Sequence, residues 1–299
     1  MIAPFARSMR ADDGFIVVAV LWILGALAAL ASIYSIYVTN SALGLSVNDD
    51  RLQAEALVTA GLELTAYQLS AKDVDARPTQ GAFRFRMGRA DVAVDFRSEA
   101  ARIDLNAAPK ELLAGLLAGL GARADAAAYY ADRIIGWRQA GEVAGENQEA
   151  AAYRTAGLSY GPRQGPFSDV GELWLVLGLP PALVERALPF VTVFSGRAEV
   201  DILAAAPEVV AALPGMTADR LYAILGQRGP GAANAQAVQG LLGSAQGGST
   251  QASKSTRVTV RVAFDNGRRV GSEAVILLQD DADAPFRVLS WRDDFDGPV

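Results

Sequence analysis

The chain has 299 residues, 51% of them hydrophobic, enough to bury the core of one large domain or two small ones. It contains no cysteine and no histidine, which removes thiol nucleophiles, disulfides, thiolate metal sites, serine–histidine triads and histidine acid/base chemistry together. The formal net charge is −6, without the basic excess that nucleic-acid binders carry.

The first element is apolar and helical. From Phe15 to Asn48 no side chain is charged, and the stretch FIVVAVLWILGALAALASIYSIYV (15–38) is almost wholly apolar. About 20 such residues cross the hydrocarbon core of a bilayer as a helix. A signal-peptide core is shorter, roughly 7–15 residues. The small residues Ala26, Ala28, Ala29 and Ala31 keep a cleaved secretory signal as the competing reading. Arg7 and Arg10 precede the segment, and Asp49, Asp50 and Arg51 follow it. Positive-inside bias then keeps the N-terminus cytoplasmic and sends the bulk outward. Helical spacing continues through Leu57, Ala60, Leu64 and Tyr67, and no proline lies between Phe15 and Arg77. One helix from Phe15 to about Ser70 is predicted.

Around Phe83 the period changes to two. Phe83, Phe85 and Met87, then Val92, Val94 and Phe96, alternate with polar or small residues across Gly88-Arg89, the pattern of a hairpin. The same period returns at Val258, Val260, Val262 and Phe264, followed by the hairpin turn Asn266-Gly267. Residues 274–279 and 286–291 read as further strands. A long helix followed by an antiparallel sheet is thus predicted, with the sheet split in sequence by a large insertion.

The insertion, about 100–230, reads as helical and repetitive. Ile103-Asp104-Leu105-Asn106-Ala107-Ala108-Pro109 opens one unit, and Val200-Asp201-Ile202-Leu203-Ala204-Ala205-Ala206-Pro207 opens a second. Each proline falls at a first helical turn, where its missing N–H costs nothing. Glycine turns follow at Leu120-Gly121 and Leu213-Pro214-Gly215. A third unit spans Phe167 to Leu179, with Asp169 and Glu172 placed as a capping box. The stretch 229–256, rich in Gly, Ala, Gln and Ser, reads as a flexible linker. Glycine-turn hairpins of this kind either pack helices or present backbone N–H groups to phosphate. The cations beside Gly215-Met216-Thr217 are Arg220 and Arg228, with Asp219 between the turn and Arg220. The acidic runs at Asp280, Asp281 and Asp283, and at Asp293, Asp294 and Asp296, lie in loop or tail settings and read as solubilising surface.

A short polar leader, Gly14, Phe15 and an unbroken apolar helix resemble the type IV pilin-like N-terminus. Within the insertion, I-D-L-N-x-A-P (Ile103–Pro109), Y-R-x-x-G-L-x-Y-G-P-R (Tyr153–Arg163) and P-F-x-x-V-x-E-L (Pro166–Leu173) occur in the order that resembles the K subunit of the type II secretion minor pseudopilins, the GspK family. The resemblance implies an α/β pilin-like fold. A long N-terminal transmembrane helix would precede an antiparallel sheet split by a large all-α insertion with SAM-like/helix-hairpin-helix repeats. The corresponding domains are a prepilin-type leader at 1–14, a transmembrane helix at 15–38, the helix continuation and first strands at 39–99, and the inserted helical domain at 100–230. A linker at 231–256 and the last strands at 257–299 complete the chain.

The resemblance also implies a role and partners. The chain would be a structural, non-enzymatic subunit that caps the pseudopilus tip and helps start its assembly, with minor pseudopilins of the I, J and H types beside and below it. It would be a single-pass inner-membrane protein with its bulk in the periplasm, and no nucleic acid would be involved. A membrane-anchored, competence-type helix-hairpin-helix DNA-binding protein is the alternative class. Prepilin peptidase would cut between Gly14 and Phe15 and methylate the Phe15 amine. Asp12 and Asp13 stand where a basic residue is usual. Ala19 occupies the position at which most pilin-like proteins carry glutamate, and K subunits share that loss. No cofactor is required, but calcium is a candidate ion. K subunits often carry D-W-R-D-x-D and then G-A-E after the first repeat, oxygen ligands that hold Ca²⁺ at about 2.3–2.6 Å. Here the chain reads Gly136-Trp137-Arg138-Gln139-Ala140-Gly141 and then Asn147-Gln148-Glu149. Glu142, Glu146, Asn147 and Glu149 remain as candidate ligands, with a solvated acidic loop as the alternative.

Overall fold

A computed structural model describes residues 12–72, 77–139, 148–229, 232–279 and 284–294. The chain divides into two compact units, Met1–Ala56 and Leu57–Val299. The described residues of the first unit are helical. Helix α1 spans Asp12–Ser70 and enters the second unit at Leu57. Within it Val17–Val38 is long and apolar enough to cross a membrane. Its large apolar side chains, among them Leu21, Trp22, Leu30, Tyr34 and Tyr37, are exposed. Every backbone amide inside such a helix is bonded internally, the condition for lying in lipid.

The second unit opens with the end of α1. The stripe that it buries differs from the predicted one. Leu57, Val58, Leu62, Thr65, Ala66 and Leu69 are buried, whereas Leu64 and Tyr67 face outward, Tyr67 at 72% exposure. Both stripes have helical spacing, so periodicity alone did not separate them. Gly61 and Ala66 decide the choice by being small. A Cβ on Gly61 would stand only 3.1–3.2 Å from the side chains of Val260 and Val94, so this face lies flush against the sheet.

The sheet has five antiparallel strands. They are β1 (Gln80–Met87), β2 (Ala90–Ser98), β7 (Ser255–Phe264), β8 (Arg269–Leu278) and β9 (Phe286–Asp294), in the spatial order β1-β2-β7-β8-β9. Alternation places Val92, Val94, Val258, Val260, Val262, Val270, Ala274 and Ile276 on the buried face. The β1–β2 turn passes through Gly88 at φ 60°, and the β7–β8 turn through Gly267 at φ 87°, conformations open to glycine. Strands β2 and β7 are direct neighbours, with Ser98 opposite Thr256. The insertion therefore takes the place of a hairpin turn, and the chain leaves and re-enters the sheet at one point.

The insertion is built on two copies of one backbone device. In the first, β3 (Ile103–Asp104) pairs in parallel with β4 (Val191–Thr192). In the second, β5 (Val200–Asp201) pairs in parallel with β6 (Gly248–Ser249). The Asp104 carbonyl accepts from the N–H groups of Ala107 and Ala108, and the Asp201 carbonyl accepts from those of Ala204 and Ala205. Each turn leads into a helix pair: α2 (Lys110–Gly119) with α3 (Ala124–Arg138), and α6 (Pro207–Ala211) with α7 (Ala218–Gln227). The joints use Gly121 at φ 99° and Gly215 at φ 78°. The copies meet at Gly115, where a Cβ would come within 2.3 Å of the Ala212 carbonyl oxygen, so only glycine permits this approach.

Between the copies lie α4 (Gln148–Thr155), a 3₁₀ segment at Val170–Leu175 and α5 (Pro181–Ala187). One hydrophobic core runs through all of these elements, from Ile103, Leu113 and Tyr153 to Val209, Ile224 and Val238. The predicted linker at 231–256 is corrected. It contains α8 (Ala232–Leu241) and β6, and Val238 and Leu242 are buried in the insertion's core. Its small and polar composition hid two apolar anchors at helical spacing, and the insertion therefore extends past 230.

Candidate functional site

The three motifs of the insertion converge on one network, although about 60 residues separate their ends. Asp104 sits at its root, 2% exposed. Its Oδ1 accepts from the Asn106 N–H at 2.7 Å, and its Oδ2 accepts from the Gly196 N–H at 2.7 Å and the Ser195 hydroxyl at 3.1 Å. Asn106 then acts as a two-way clip. Its Nδ2 donates to the Phe167 carbonyl at 3.0 Å, and the Phe167 N–H donates to its Oδ1 at 2.7 Å. This is the pattern of a strand ladder made by a side chain.

Glu172 is the second node. Its Oε2 accepts from the Trp137 indole N–H at 2.9 Å, and its Oε1 accepts from Arg163 at 2.9 Å and from the N–H and hydroxyl of Ser168 at 3.0 and 2.5 Å. Burial alone raises such a carboxyl, but these donors and the Arg163 charge outweigh it and hold Glu172 below the usual glutamate range. The predicted capping box is present in altered form. Asp169 caps the Gly171 N–H at 2.7 Å, while Glu172 reaches back to Ser168. The helix that follows is 3₁₀. Tyr153 is fully buried, and its hydroxyl accepts from the Leu177 N–H at 2.7 Å. Burial pushes its phenol up to about 12. The Arg138 guanidinium, lowered by burial, donates to the carbonyls of Leu105 and Ala108 and so fixes the first repeat turn to α3.

A second cluster joins the insertion to the sheet, and the sequence reading did not contain it. Glu99 directly follows β2 and is 1% exposed. It pairs with Arg257 of β7 at 2.6 Å and accepts from the Thr192 hydroxyl of β4. Arg257 also holds Glu273 of β8. Burial lowers the guanidinium, but the two carboxylates win and raise it. Nearby the Ser253 N–H donates to the Ser98 hydroxyl at 2.9 Å. The available signal was a lone glutamate placed immediately after an alternating strand, where charge is costly without a partner.

The other predicted residues are placed as follows. Gly14 and Phe15 lie in the first turns of α1, and Ala19 is partly exposed on it. Glu142, Glu146 and Asn147 lie outside the described residues. Glu149 is buried in α4 and pairs with Arg133 of α3 at 3.1 Å. Burial raises its carboxyl, with Arg133 opposing the shift. Among the described residues no group of three or more acidic side chains is gathered as a metal site would require. The two cations beside the second glycine turn differ in setting. Arg220 donates to the Gly215 carbonyl at 3.2 Å and the Ser244 hydroxyl at 3.0 Å, and Arg228 is partly buried near Asp201.

A long helix with an apolar first part, an antiparallel sheet and a helical domain set into one hairpin define the fold. The fold is similar to a chain in the crystal structure of the GspK-GspI-GspJ complex from the enterotoxigenic Escherichia coli Type 2 Secretion System. The TM-score is 0.56 at 17% identity, covering 83% of this chain and 98% of that one. No curated protein matches the chain in sequence. The family model for type II secretion system (T2SS), protein K, matches residues 95–196. That segment, over which the chain is similar to the type II secretion system K protein, holds all three converging motifs and Glu99.

Proposed function

We propose that the protein caps the tip of a type II secretion pseudopilus and helps start its assembly as a structural subunit. The observation that carries this reading is the protein K match over 95–196, because its motifs are the residues that build the Asp104–Asn106–Glu172 network. The physical account has two parts. A mid-membrane carboxylate is stable only when paired, as with the amine of a neighbouring subunit. A chain with Ala19 in that place has no such carboxylate, and a subunit with none above it needs none. The insertion then supplies bulk above the sheet, and the Glu99–Arg257–Glu273 clamp keeps that bulk in a fixed relation to the sheet.

The same reading assigns prepilin peptidase cleavage between Gly14 and Phe15, methylation of Phe15, a cytoplasmic N-terminus and a periplasmic bulk. Partners of the I and J types follow from the GspK-GspI-GspJ complex that the fold resembles. The duplicated units act as helix-hairpin-helix packing elements, and the chain performs no catalysis. Intact mass and N-terminal sequencing of protein purified from membranes tests this reading. The expected product begins at N-methyl-Phe15, and Gly14→Ala blocks its formation and secretion. A product beginning near Ser32 or later identifies a cleaved secretory signal and ends the proposal.

A further inference from the structure

The junction between α3 and α4 is where the resemblance places calcium, and the described residues there do not fit a cation. Glu149, the one described candidate ligand, turns its carboxylate inward, with its side chain 10% exposed. Its Oε2 stands 3.1 Å from Nη1 of Arg133, whose own side chain is 21% exposed. The carboxylate also fills the space over Gly136, where a Cβ would lie 2.7 Å from the same oxygen. A divalent ion at that carboxylate would sit beside a guanidinium, a like-charge contact in a poorly solvated place. The aromatic ring of Tyr129 also lies against Arg133, 5.1 Å from ring centre to guanidinium carbon.

We infer that Arg133 takes the part of the metal at Glu149: its guanidinium, paired with Glu149 and lying against the Tyr129 ring, joins α3 to α4 so that this joint needs no calcium. The stretch Gly136–Gly141 around Trp137 carries no aspartate, in keeping with this reading, because a fixed internal cation needs one carboxylate where a hydrated divalent ion needs several. Gly136 belongs to the same arrangement, since only a residue without Cβ lets Glu149 lie across α3. The inference does not depend on the secretion role and stands or falls separately from it.

The test is thermal unfolding of the full chain in detergent, with millimolar CaCl₂ or with EDTA, for wild type, Arg133→Gln, Glu149→Gln and the double variant. Wild-type Tm is expected to be the same in both solutions. Each single variant is expected to lower Tm, and the double variant to lower it by less than the sum of the two. A calcium-dependent rise in wild-type Tm of roughly 5 °C or more, the size that saturating a native-state site gives a chain of this length, overturns the inference. Additive losses in the double variant overturn it as well.

Discussion

The two copies of the repeat share a backbone and differ in what hangs on it. Both open with an aspartate whose carbonyl caps the following turn and whose side chain accepts a backbone N–H two residues on, from Asn106 in the first copy and Leu203 in the second. In the first copy Asn106 extends that turn into the Phe167 clip, and Glu99 just before it locks the copy to the sheet. In the second copy the residue in the Asn106 place is Leu203, which packs against the core. Asp201 is wholly buried and faces Arg228 and Thr79. One turn geometry thus serves as a polar hub in one place and as a packing element in another. The difference lies in the side chains that the shared turn carries.

The largest effect expected comes from unlocking the first copy. Arg257→Met leaves Glu99 1% exposed and without its guanidinium partner, and a loss of about 3–5 kcal/mol is expected for an orphaned buried carboxylate. Urea unfolding of the full chain measures it. The second copy is probed by pH. Burial pushes Asp201 up to about 6, against the opposing pull of the Leu203 N–H, the Thr79 hydroxyl and Arg228. Its unfolded value is about 4, so between the two values the native chain holds a proton that the unfolded chain lacks. This group's contribution to stability is full below about pH 4 and lost as pH rises through 6, a change on the order of 3 kcal/mol. Asp201→Asn removes it. Unfolding midpoints from about pH 4 to pH 7 are expected to move in the variant's favour relative to wild type as pH rises.

A smaller effect tests whether the copies are interchangeable. Asn106→Leu gives the first copy the residue of the second and removes both bonds to Phe167. A loss of about 1–3 kcal/mol is expected from the unpaired Phe167 groups. An unchanged urea midpoint would show the clip to be idle. The smallest effect is expected at the surface. Arg292 of β9 approaches Asp169 at 3.7 Å, with the two side chains 62% and 57% exposed. Arg292→Ala should change stability by less than about 1 kcal/mol, in contrast to the buried pair at Arg257.

Most elements were legible because each rests on a local pattern. The uncharged 15–38 stretch, the period-two strands and the proline-led repeat turns each carry their own signal, and the Asn266-Gly267 turn sits where it was expected. Errors arose where two local patterns were equally good or where composition misled. The buried stripe of α1 was chosen by Gly61 against Val94 and Val260, a contact between residues far apart in sequence. Residues 232–241 look like linker by composition, yet they fold because Val238 and Leu242 find space in a core built by other segments.

The sequence alone determined the kinds of element, their order and the motifs that lie in the matched segment, because helix, strand and turn preferences act over a few residues. Tertiary structure decided which faces are buried and which charges meet. Glu99, Arg257 and Thr192 come together only when the insertion closes on its hairpin. Glu149 becomes the partner of an arginine only when α4 packs on α3. Long-range pairs of this kind depend on a few ångströms of packing geometry, which a one-dimensional pattern does not encode.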